Sequence, residues 1–281
     1  MARKIKTLGF YGGKRYIVPH LLKLMPPHKL YVELFGGGAA LLFSKPPSPI
    51  EVYNDIDSNL VNLFRVLRDD KLFPIFLHKL KWTLYSREEW RRARKSYRFP
   101  NNPVERAVRF FITVRQSFSK QGTSWAYGIE AKNMARAYFK FIKELDYFHQ
   151  RLENVQIENL DWYDCLKKYN IQNLFMYMDP PYIITERRSR RKAYSYDFSI
   201  EDHEKLVEVL INEFKGKGAL SGYKNEIYAR LEKEGWTRID IKVPLFASGG
   251  PTTRKARNKN VPRPKAVESI WINYQLPSLK I

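Results

Sequence analysis

Short apolar runs that end in polar or glycine residues predict the strands of a parallel α/β sheet. The first two runs cover residues 29–34 and 49–53, and each is followed by a loop and a helix-like pattern. Residues 39–43 are expected to begin a helix, and residues 58–67 carry apolar side chains at the spacing of one helix face. Strand, helix and strand joined by short loops favour parallel pairing.

The same alternation returns in the C-terminal part of the chain. Three apolar runs predict further strands, at residues 155–157, 174–178 and 219–221. Residues 199–214 predict a helix with Ser199 as its N-cap. Two last runs, at residues 238–243 and 269–274, are expected to pair with each other across a long loop.

The middle of the chain has a different character and predicts a mostly helical insertion. Helix-like segments rich in arginine, lysine and aromatic residues dominate residues 68–154. The expected organisation is one sheet domain, made of residues 1–67 and 155–281, interrupted by this insertion.

The charge of the chain points to a polyanionic partner. Its 281 residues include 50 Lys and Arg against 29 Asp and Glu, a formal net charge of +21. Nearly all of the excess lies in residues 2–15, 87–109, 186–192 and 251–265. Phosphate neutralisation is the usual reason for such clustering. A solvated basic surface and an acidic membrane surface are the alternatives.

Several classes of protein are excluded by composition. No run reaches the ~20 apolar residues that a membrane-spanning helix needs, and the N-terminus lacks the pattern of a secretory signal. The single cysteine, Cys165, excludes an internal disulfide framework and a cysteine-based metal cluster. The five histidines show no ligand spacing, so no metal is expected.

A glycine-rich turn follows the first predicted strand. Glu33-Leu34-Phe35 leads into Gly36-Gly37-Gly38, where the backbone can approach a ligand closely. Asp55 ends the second strand, where a carboxylate suits the hydroxyls of a ribose. The sequence has neither the third small residue of a dinucleotide site nor a Gly-Lys-Ser/Thr phosphate loop. A nucleoside cofactor without a pyrophosphate is therefore favoured, with a purely structural turn as the alternative.

The motif Asp179-Pro180-Pro181-Tyr182 is more specific. It follows an apolar strand, at the edge where α/β sheets bind ligands. Two prolines remove two N–H donors, so Asp179 and the Pro180 carbonyl form a pair of acceptors beside the face of Tyr182. This pair matches the two hydrogens of an exocyclic amine on a stacked base. By holding both hydrogens, it would localise the lone pair of that amine for attack on an electrophilic methyl group.

Together, four motifs resemble those of the Dam-like (alpha group, D12 class) adenine-specific DNA methyltransferases. In chain order they are Phe10-Tyr11-Gly12-Gly13-Lys14, the glycine turn at residues 33–40, Asn54-Asp55-Ile56-Asp57 and Asp179-Pro180-Pro181-Tyr182. The resemblance covers nearly the whole chain and implies a Rossmann-like sheet that uses S-adenosylmethionine, with residues 68–154 as a DNA-recognition insertion. The departures are Phe10, where many members carry Trp or Tyr, and Phe-Gly-Gly-Gly in place of Phe-x-Gly-x-Gly.

The resemblance implies the following site residues. The catalytic group would be Asp179, Pro180, Pro181 and Tyr182, acting on the N6 amine of an adenine flipped out of duplex DNA. The cofactor would contact Phe10, Lys14, Glu33, Phe35, Gly36, Gly38, Asp55, Asp161 and Asp179. DNA would contact Arg115, Ser117 and Lys120 at the start of a recognition hairpin, Arg187, Arg188 and Arg190 after the catalytic motif, and Arg254, Lys255 and Arg257 in the last loop.

Related activities remain as alternatives. Methylation of a cytosine ring carbon needs a nucleophilic cysteine, and Cys165 is expected to be a partly buried helix residue. Cytosine N4 methylation, RNA methylation and DNA binding without turnover stay open. The expected protein is a cytoplasmic, nucleoid-associated monomer without a membrane partner, and a cognate restriction endonuclease is a candidate partner.

Overall fold

The computed structural model describes residues 5–10, 14–129, 133–183, 198–244 and 265–276. The strands are β1 (Leu30–Glu33), β2 (Ile50–Asn54), β3 (Val155–Glu158), β4 (Leu174–Met178), β5 (Lys217–Gly222), β6 (Thr237–Pro244) and β7 (Lys265–Ile272). The helices are α1 (Val18–Leu24), α2 (Ser58–Arg68), α3 (Leu72–Trp82), α4 (Arg87–Ser96), α5 (Pro103–Arg115), α6 (Met134–Ile142), α7 (Leu145–Leu152), α8 (Trp162–Tyr169), α9 (Ile200–Asn212) and α10 (Glu226–Lys233).

The strands form one seven-stranded sheet in the order β3-β2-β1-β4-β5-β7-β6. The first five in sequence pair in parallel, and β7 runs antiparallel to β5 and β6. β1 and β4 at the centre are buried at every position, as expected of parallel strands covered on both faces. The predicted parallel strands and the predicted pairing of the last two strands are confirmed.

The prediction that a helix begins within residues 39–43 is wrong. The segment forms a turn instead, in which the Phe43 N–H donates to the Ala39 carbonyl at 3.0 Å and the Lys45 N–H donates to the Leu41 carbonyl at 2.9 Å. Ala39 adopts a φ of +49°, in the left-handed region that side chains disfavour. Pro46 and Pro47 follow directly and cannot donate to a preceding carbonyl. The turn therefore stops before a helix can form.

Residues 68–154 are mostly helical in the part that the structure describes, as predicted, and they pack directly on α2. Phe64 of α2, Phe111 of α5 and Phe148 of α7 belong to one buried apolar cluster that also contains Tyr31 and Tyr53 of the sheet. The helical segment and the sheet therefore share a hydrophobic core. The domain boundaries at residues 68 and 154 stay predictions.

The opposite face of the sheet is covered by α8, α9 and α10, which build a second apolar cluster. The predicted cap of α9 is confirmed: Ser199 accepts the backbone N–H of Asp202 at 3.1 Å, and Asp202 in return accepts the N–H of Ser199 at 2.9 Å. Cys165 is fully buried in α8, and burial raises the pKa of its thiol to about 12. The thiol is therefore a core group and not a nucleophile.

Candidate active site

The carboxyl ends of β1, β2 and β4 lie side by side, because these three strands are neighbours and parallel. In the strand order, the chain continues from β1 to its neighbour β2 and from β4 to its neighbour β5, in opposite directions across the sheet. The point between β1 and β4 is therefore the switch point where α/β folds bind ligands. Asn54 joins the loops at this edge, since its amide donates to the carbonyls of Leu34 at 3.0 Å and Leu160 at 3.2 Å.

The glycine turn after β1 packs tightly against β2. The Gly36 N–H donates to the Asn54 carbonyl at 2.8 Å, and a Cβ at Gly36 would lie 2.2 Å from the Tyr53 ring. Gly37 has a φ of +49°, which glycine adopts without strain, and a Cβ there would meet no atom within 4 Å. The turn therefore needs glycine at residue 36 for space and at residue 37 for conformation.

The Asp55 carboxylate is held by backbone donors from the same edge. Its Oδ2 accepts the Gly37 N–H and its Oδ1 accepts the Asp57 N–H, both at 2.8 Å. Burial raises the pKa of Asp55 to about 6, although both hydrogen bonds act to lower it. Each oxygen keeps a lone pair that can accept a hydroxyl hydrogen.

Glu33 lies deeper below the same turn. It is 2% exposed, and its Oε1 accepts the Leu42 N–H at 3.4 Å. Burial raises the pKa of Glu33 to about 8, against the lowering effect of the Leu42 hydrogen bond. The side chain is therefore mostly protonated at neutral pH, and its carboxyl can both donate and accept.

The remaining residues predicted to bind the cofactor lie around this edge in different settings. The Phe10 ring stacks on Phe110 of α5 with centroids 5.8 Å apart and lies against Gly38. Phe35 meets Phe198 edge to face at 5.4 Å. Asp161 is exposed and caps α8 by accepting the Tyr163 N–H.

The structure brings Lys14, Asp179 and Tyr182 together at the end of β4. The Lys14 ammonium lies 3.1 Å from Asp179 Oδ1 and 3.4 Å from Glu268 Oε2. It also sits over the Tyr182 ring, 4.1 Å from the centroid. One nitrogen that carries hydrogens thus contacts a carboxylate and an aromatic face at once.

Burial and charge act against each other in this cluster. Burial works to lower the pKa of Lys14, but the carboxylates of Asp179 and Glu268 outweigh it and raise the pKa above its ordinary value. Burial also raises the pKa of Asp179, against the opposing effects of Lys14 and Ser221. Lys14 thus remains a cation, and Asp179 is a stronger base than an exposed aspartate.

Three further side chains support the cluster and were not predicted as site residues. Ser221 donates to Asp179 Oδ1 at 2.8 Å and lies 3.1 Å from the Tyr177 hydroxyl. The Tyr223 ring lies 4.7 Å from that of Tyr182. Ser221 could have been found from the sequence, because it ends the predicted strand next to the Asp179 strand. Tyr177 and Tyr223 carry no comparable signal.

Pro180 is buried and Pro181 half-buried directly after Asp179. The Tyr182 hydroxyl is buried and has no hydrogen-bond partner among the residues that the structure describes.

The predicted DNA-contacting residues of the hairpin turn inward. Residues 116–126 form a short antiparallel hairpin, with a bridge between Ser117 and Trp125. Ser117 is 1% exposed and donates to the Val114 carbonyl. Arg115 and Lys120 donate to backbone carbonyls, and burial lowers the pKa of Lys120 to about 8. The predicted contacts Arg187, Arg188, Arg190, Arg254, Lys255 and Arg257 lie outside the described residues.

Within the described ranges, no group of three or more His, Cys, Asp or Glu side chains could hold a metal ion. No helix in the same part of the chain is long and apolar enough to cross a membrane.

Comparison with known proteins agrees with the geometry of this edge. The chain is 29% identical over 280 residues to the type II methyltransferase M1.LlaDCHI of Lactococcus lactis subsp. cremoris, covering 94% of this chain and 93% of the relative. It is 24% identical over 198 residues to the modification methylase StsI of Streptococcus sanguinis, covering 63% of this chain but 28% of that longer protein. The family model for D12 class N6 adenine-specific DNA methyltransferases matches residues 10–243, from the Phe10 segment through Asp55 and the Asp179 motif into β6. The chain therefore belongs to the D12 class N6 adenine-specific DNA methyltransferases.

Proposed function

We propose that this adenine-specific DNA methyltransferase takes its methyl group from S-adenosylmethionine and acts on an adenine flipped out of duplex DNA into the Asp179 cluster. The observation that carries the proposal is the position of the Lys14 ammonium, 3.1 Å from Asp179 and 4.1 Å above the Tyr182 ring. The contact supports the proposal because an amine that carries hydrogens is accommodated beside both a carboxylate and an aromatic face, as the exocyclic amine of adenine would be.

The residues at the glycine turn are compatible with S-adenosylmethionine. The open space beside Gly37 leaves room for a ligand against the backbone, and both oxygens of Asp55 can accept ribose hydroxyls. Phe10 and Phe35 supply half-buried aromatic surface for the apolar parts of a nucleoside. When bound, S-adenosylmethionine supplies an electrophilic methyl group. Phe10, Lys14, Glu33, Phe35, Gly36, Gly38, Asp55 and Asp161 are proposed to line its site, together with Asp179.

Asp179 and the Pro180 carbonyl are proposed to accept the two amine hydrogens of the adenine, while Tyr182 stacks on the base. These contacts favour a lone pair directed at the methyl group and act through positioning and electrostatics. Asp179, whose pKa is raised by burial, can then accept the proton that the methylated amine releases. Ser221 and Lys14 hold the carboxylate in place, because both contact its Oδ1.

The location of the cluster supports base flipping. Asp179 is largely buried, with a side chain 18% exposed, so a base within an intact duplex cannot reach it. Lys120, Arg187, Arg188, Arg190, Arg254, Lys255 and Arg257 remain the proposed contacts to the surrounding DNA. The side chains of Arg115 and Ser117 donate to carbonyls within the protein and are no longer proposed to reach it.

A role in a restriction–modification system is also proposed. Support comes from the relatives, one of which is named a type II methyltransferase and the other a modification methylase. A cognate restriction endonuclease would then be the functional partner. The proposed enzyme works as a monomer on nucleoid DNA in the cytoplasm.

The proposal is tested with purified protein, methyl-labelled S-adenosylmethionine and unmethylated duplex DNA, followed by digestion to nucleosides. We expect labelled N6-methyladenine with the wild type and a loss of at least about a hundredfold with Asp179→Ala. Asp164→Ala, which removes an exposed carboxylate of α8, is the matched control and should keep full activity. Labelled product on RNA but not on DNA, or full activity in Asp179→Ala, would overturn the proposal.

A further inference from the structure

The guanidinium of Arg115, at the end of α5, is turned into the protein. Its Nη1 donates to the carbonyl oxygens of Leu8 at 3.0 Å and Gly9 at 3.4 Å. Its central carbon lies 3.5 Å from the centroid of the Phe141 ring. Burial lowers the pKa of Arg115 to about 10, so the group is still charged at neutral pH. In this position the charged guanidinium binds two backbone carbonyls and an aromatic ring of the protein itself.

The contact with Arg115 requires glycine at residue 9. It has a φ of +69°, and a Cβ at this position would lie 2.3 Å from Arg115 Nη1. A larger residue would thus meet both backbone strain and the guanidinium. The two residues form one joint between α5 and the N-terminal segment.

The segment that this joint holds leads directly into the proposed donor site. Phe10 follows Gly9 and stacks on Phe110 of the same helix. Lys14 comes four residues later and contacts Asp179. α5 therefore fixes the backbone immediately before Phe10 and five residues before Lys14, both of which are proposed to bind S-adenosylmethionine.

The backbone of Arg115 also contacts the hairpin at residues 116–126. Lys120 Nζ donates to the Arg115 carbonyl at 2.6 Å. The backbone of Lys120 is in the left-handed region, with a φ of +61°. The side chain of Arg115 thus contacts the N-terminal segment, while its backbone is bound by a residue of the hairpin.

We propose that Arg115 is a positioning residue, which anchors Leu8 and Gly9 to α5 and so orders Phe10 and Lys14 for binding of the methyl donor. The identity of that donor rests on the proposed function above. This role differs from a phosphate contact, which the sequence suggested for the same side chain.

The test compares Arg115→Met and Gly9→Ala, which remove the same joint from its two sides. For both we expect the Kd and KM for S-adenosylmethionine to rise about tenfold. The Kd for DNA should stay within twofold, and its salt dependence should not change. Hydrogen exchange of the amides of residues 8–10 should become faster. Arg115→Lys should recover part of the affinity, because an ammonium can still donate to one of the two carbonyls.

Arg109→Met is the matched control, since it removes an arginine of the same helix whose side chain is 38% exposed. It should leave donor affinity and the exchange of residues 8–10 unchanged. The double variant Gly9→Ala/Arg115→Met should be weakened by less than the product of the two single effects, because both substitutions break one interaction.

Two outcomes would overturn the inference. One is an Arg115→Met variant with normal donor affinity, weaker DNA binding and a salt slope reduced by about one, as expected of a side chain that neutralises a phosphate. The other is unchanged exchange of residues 8–10 in both single variants. If the wild type does not bind S-adenosylmethionine, the proposed function fails, while the exchange measurement still tests the joint.

Discussion

At the scale of single residues, the candidate site combines carboxyl groups in unlike states. Asp55 is held by two backbone donors, Asp179 faces a lysine, and Glu33 is buried and accepts the Leu42 N–H. Their residue type and order could be read from the sequence, but their protonation could not. Protonation depends on burial and on partners from distant segments, such as Lys14 and Ser221 for Asp179.

Glu33 should make the protein less stable as the pH rises. Its pKa is raised to about 8 in the folded state, against an ordinary value of 4.5. Between these values the folded state binds more protons than the unfolded state, so the free energy of unfolding falls with increasing pH. The slope approaches about 1.4 kcal/mol per pH unit in the middle of this range. Glu33→Gln keeps the acceptor for the Leu42 N–H and removes the titration.

Urea unfolding of both proteins at pH 5, 6, 7 and 8 measures this effect. The stability of Glu33→Gln relative to the wild type should increase steadily across the series. Glu153→Gln, at an exposed position after α7, should show no such trend. An equal difference between Glu33→Gln and the wild type at pH 5 and pH 8 would show that Glu33 is ionised in the folded protein.

At the scale of elements, prediction from the sequence succeeded where one local pattern decides the structure. The run at residues 174–178 was predicted with its observed bounds, because a central parallel strand is apolar at every position. The composition of residues 39–43 predicts a helix, but the left-handed φ of Ala39 and the two prolines at residues 46 and 47 prevent one. The position of Arg115 could not be predicted, since its partners Leu8 and Gly9 lie more than a hundred residues away.

α4 should contribute to DNA binding through one face. Arg87, Arg91 and Arg94 are exposed at the three- and four-residue spacing of a single helix face. The Arg87 guanidinium lies 4.9 Å from the centroid of Trp125 in the hairpin at residues 116–126. Arg92, on another face, is paired with Glu88. The first three arginines are thus available for phosphates next to the hairpin.

Replacing Arg87, Arg91 and Arg94 together by glutamine should weaken DNA binding in a salt-dependent way. The slope of log Kd against log salt concentration should fall by about 3, roughly one for each phosphate that is no longer neutralised. Fluorescence anisotropy with a labelled duplex between 50 and 200 mM salt would measure it. Arg92→Gln removes a paired arginine and should change the slope much less. Equal slopes in the triple variant and this control would exclude α4 from the DNA interface.

At the scale of the whole molecule, the helical segment and the sheet are joined by polar contacts as well as by their common apolar core. Glu51 of β2 is 2% exposed and accepts two hydrogen bonds from Arg151 of α7, at 2.5 and 2.8 Å. Lys45 binds the same carboxylate and is itself fully buried. A carboxylate enclosed in this way depends on both cations, because an unpaired buried charge is costly.

Arg151→Met should therefore destabilise the sheet and the helical segment together, by about 3 kcal/mol, with Lys45 still bound to Glu51. Because the two parts share one core, we expect a single unfolding transition at a lower urea concentration. Hydrogen exchange should become faster in β2 and in α5 to the same extent.

Arg136→Met, at an exposed position in α6 that is not part of this cluster, is the control and should stay close to the wild type. Two separate transitions in the variant, with β2 still protected while α5 exchanges freely, would show that the helical segment folds independently of the sheet. Residues 68–154 would then be an autonomous domain. A single transition would instead make the helical segment a structural part of the catalytic domain, so that substitutions in its core would also lower the stability of the sheet that carries the Asp179 cluster.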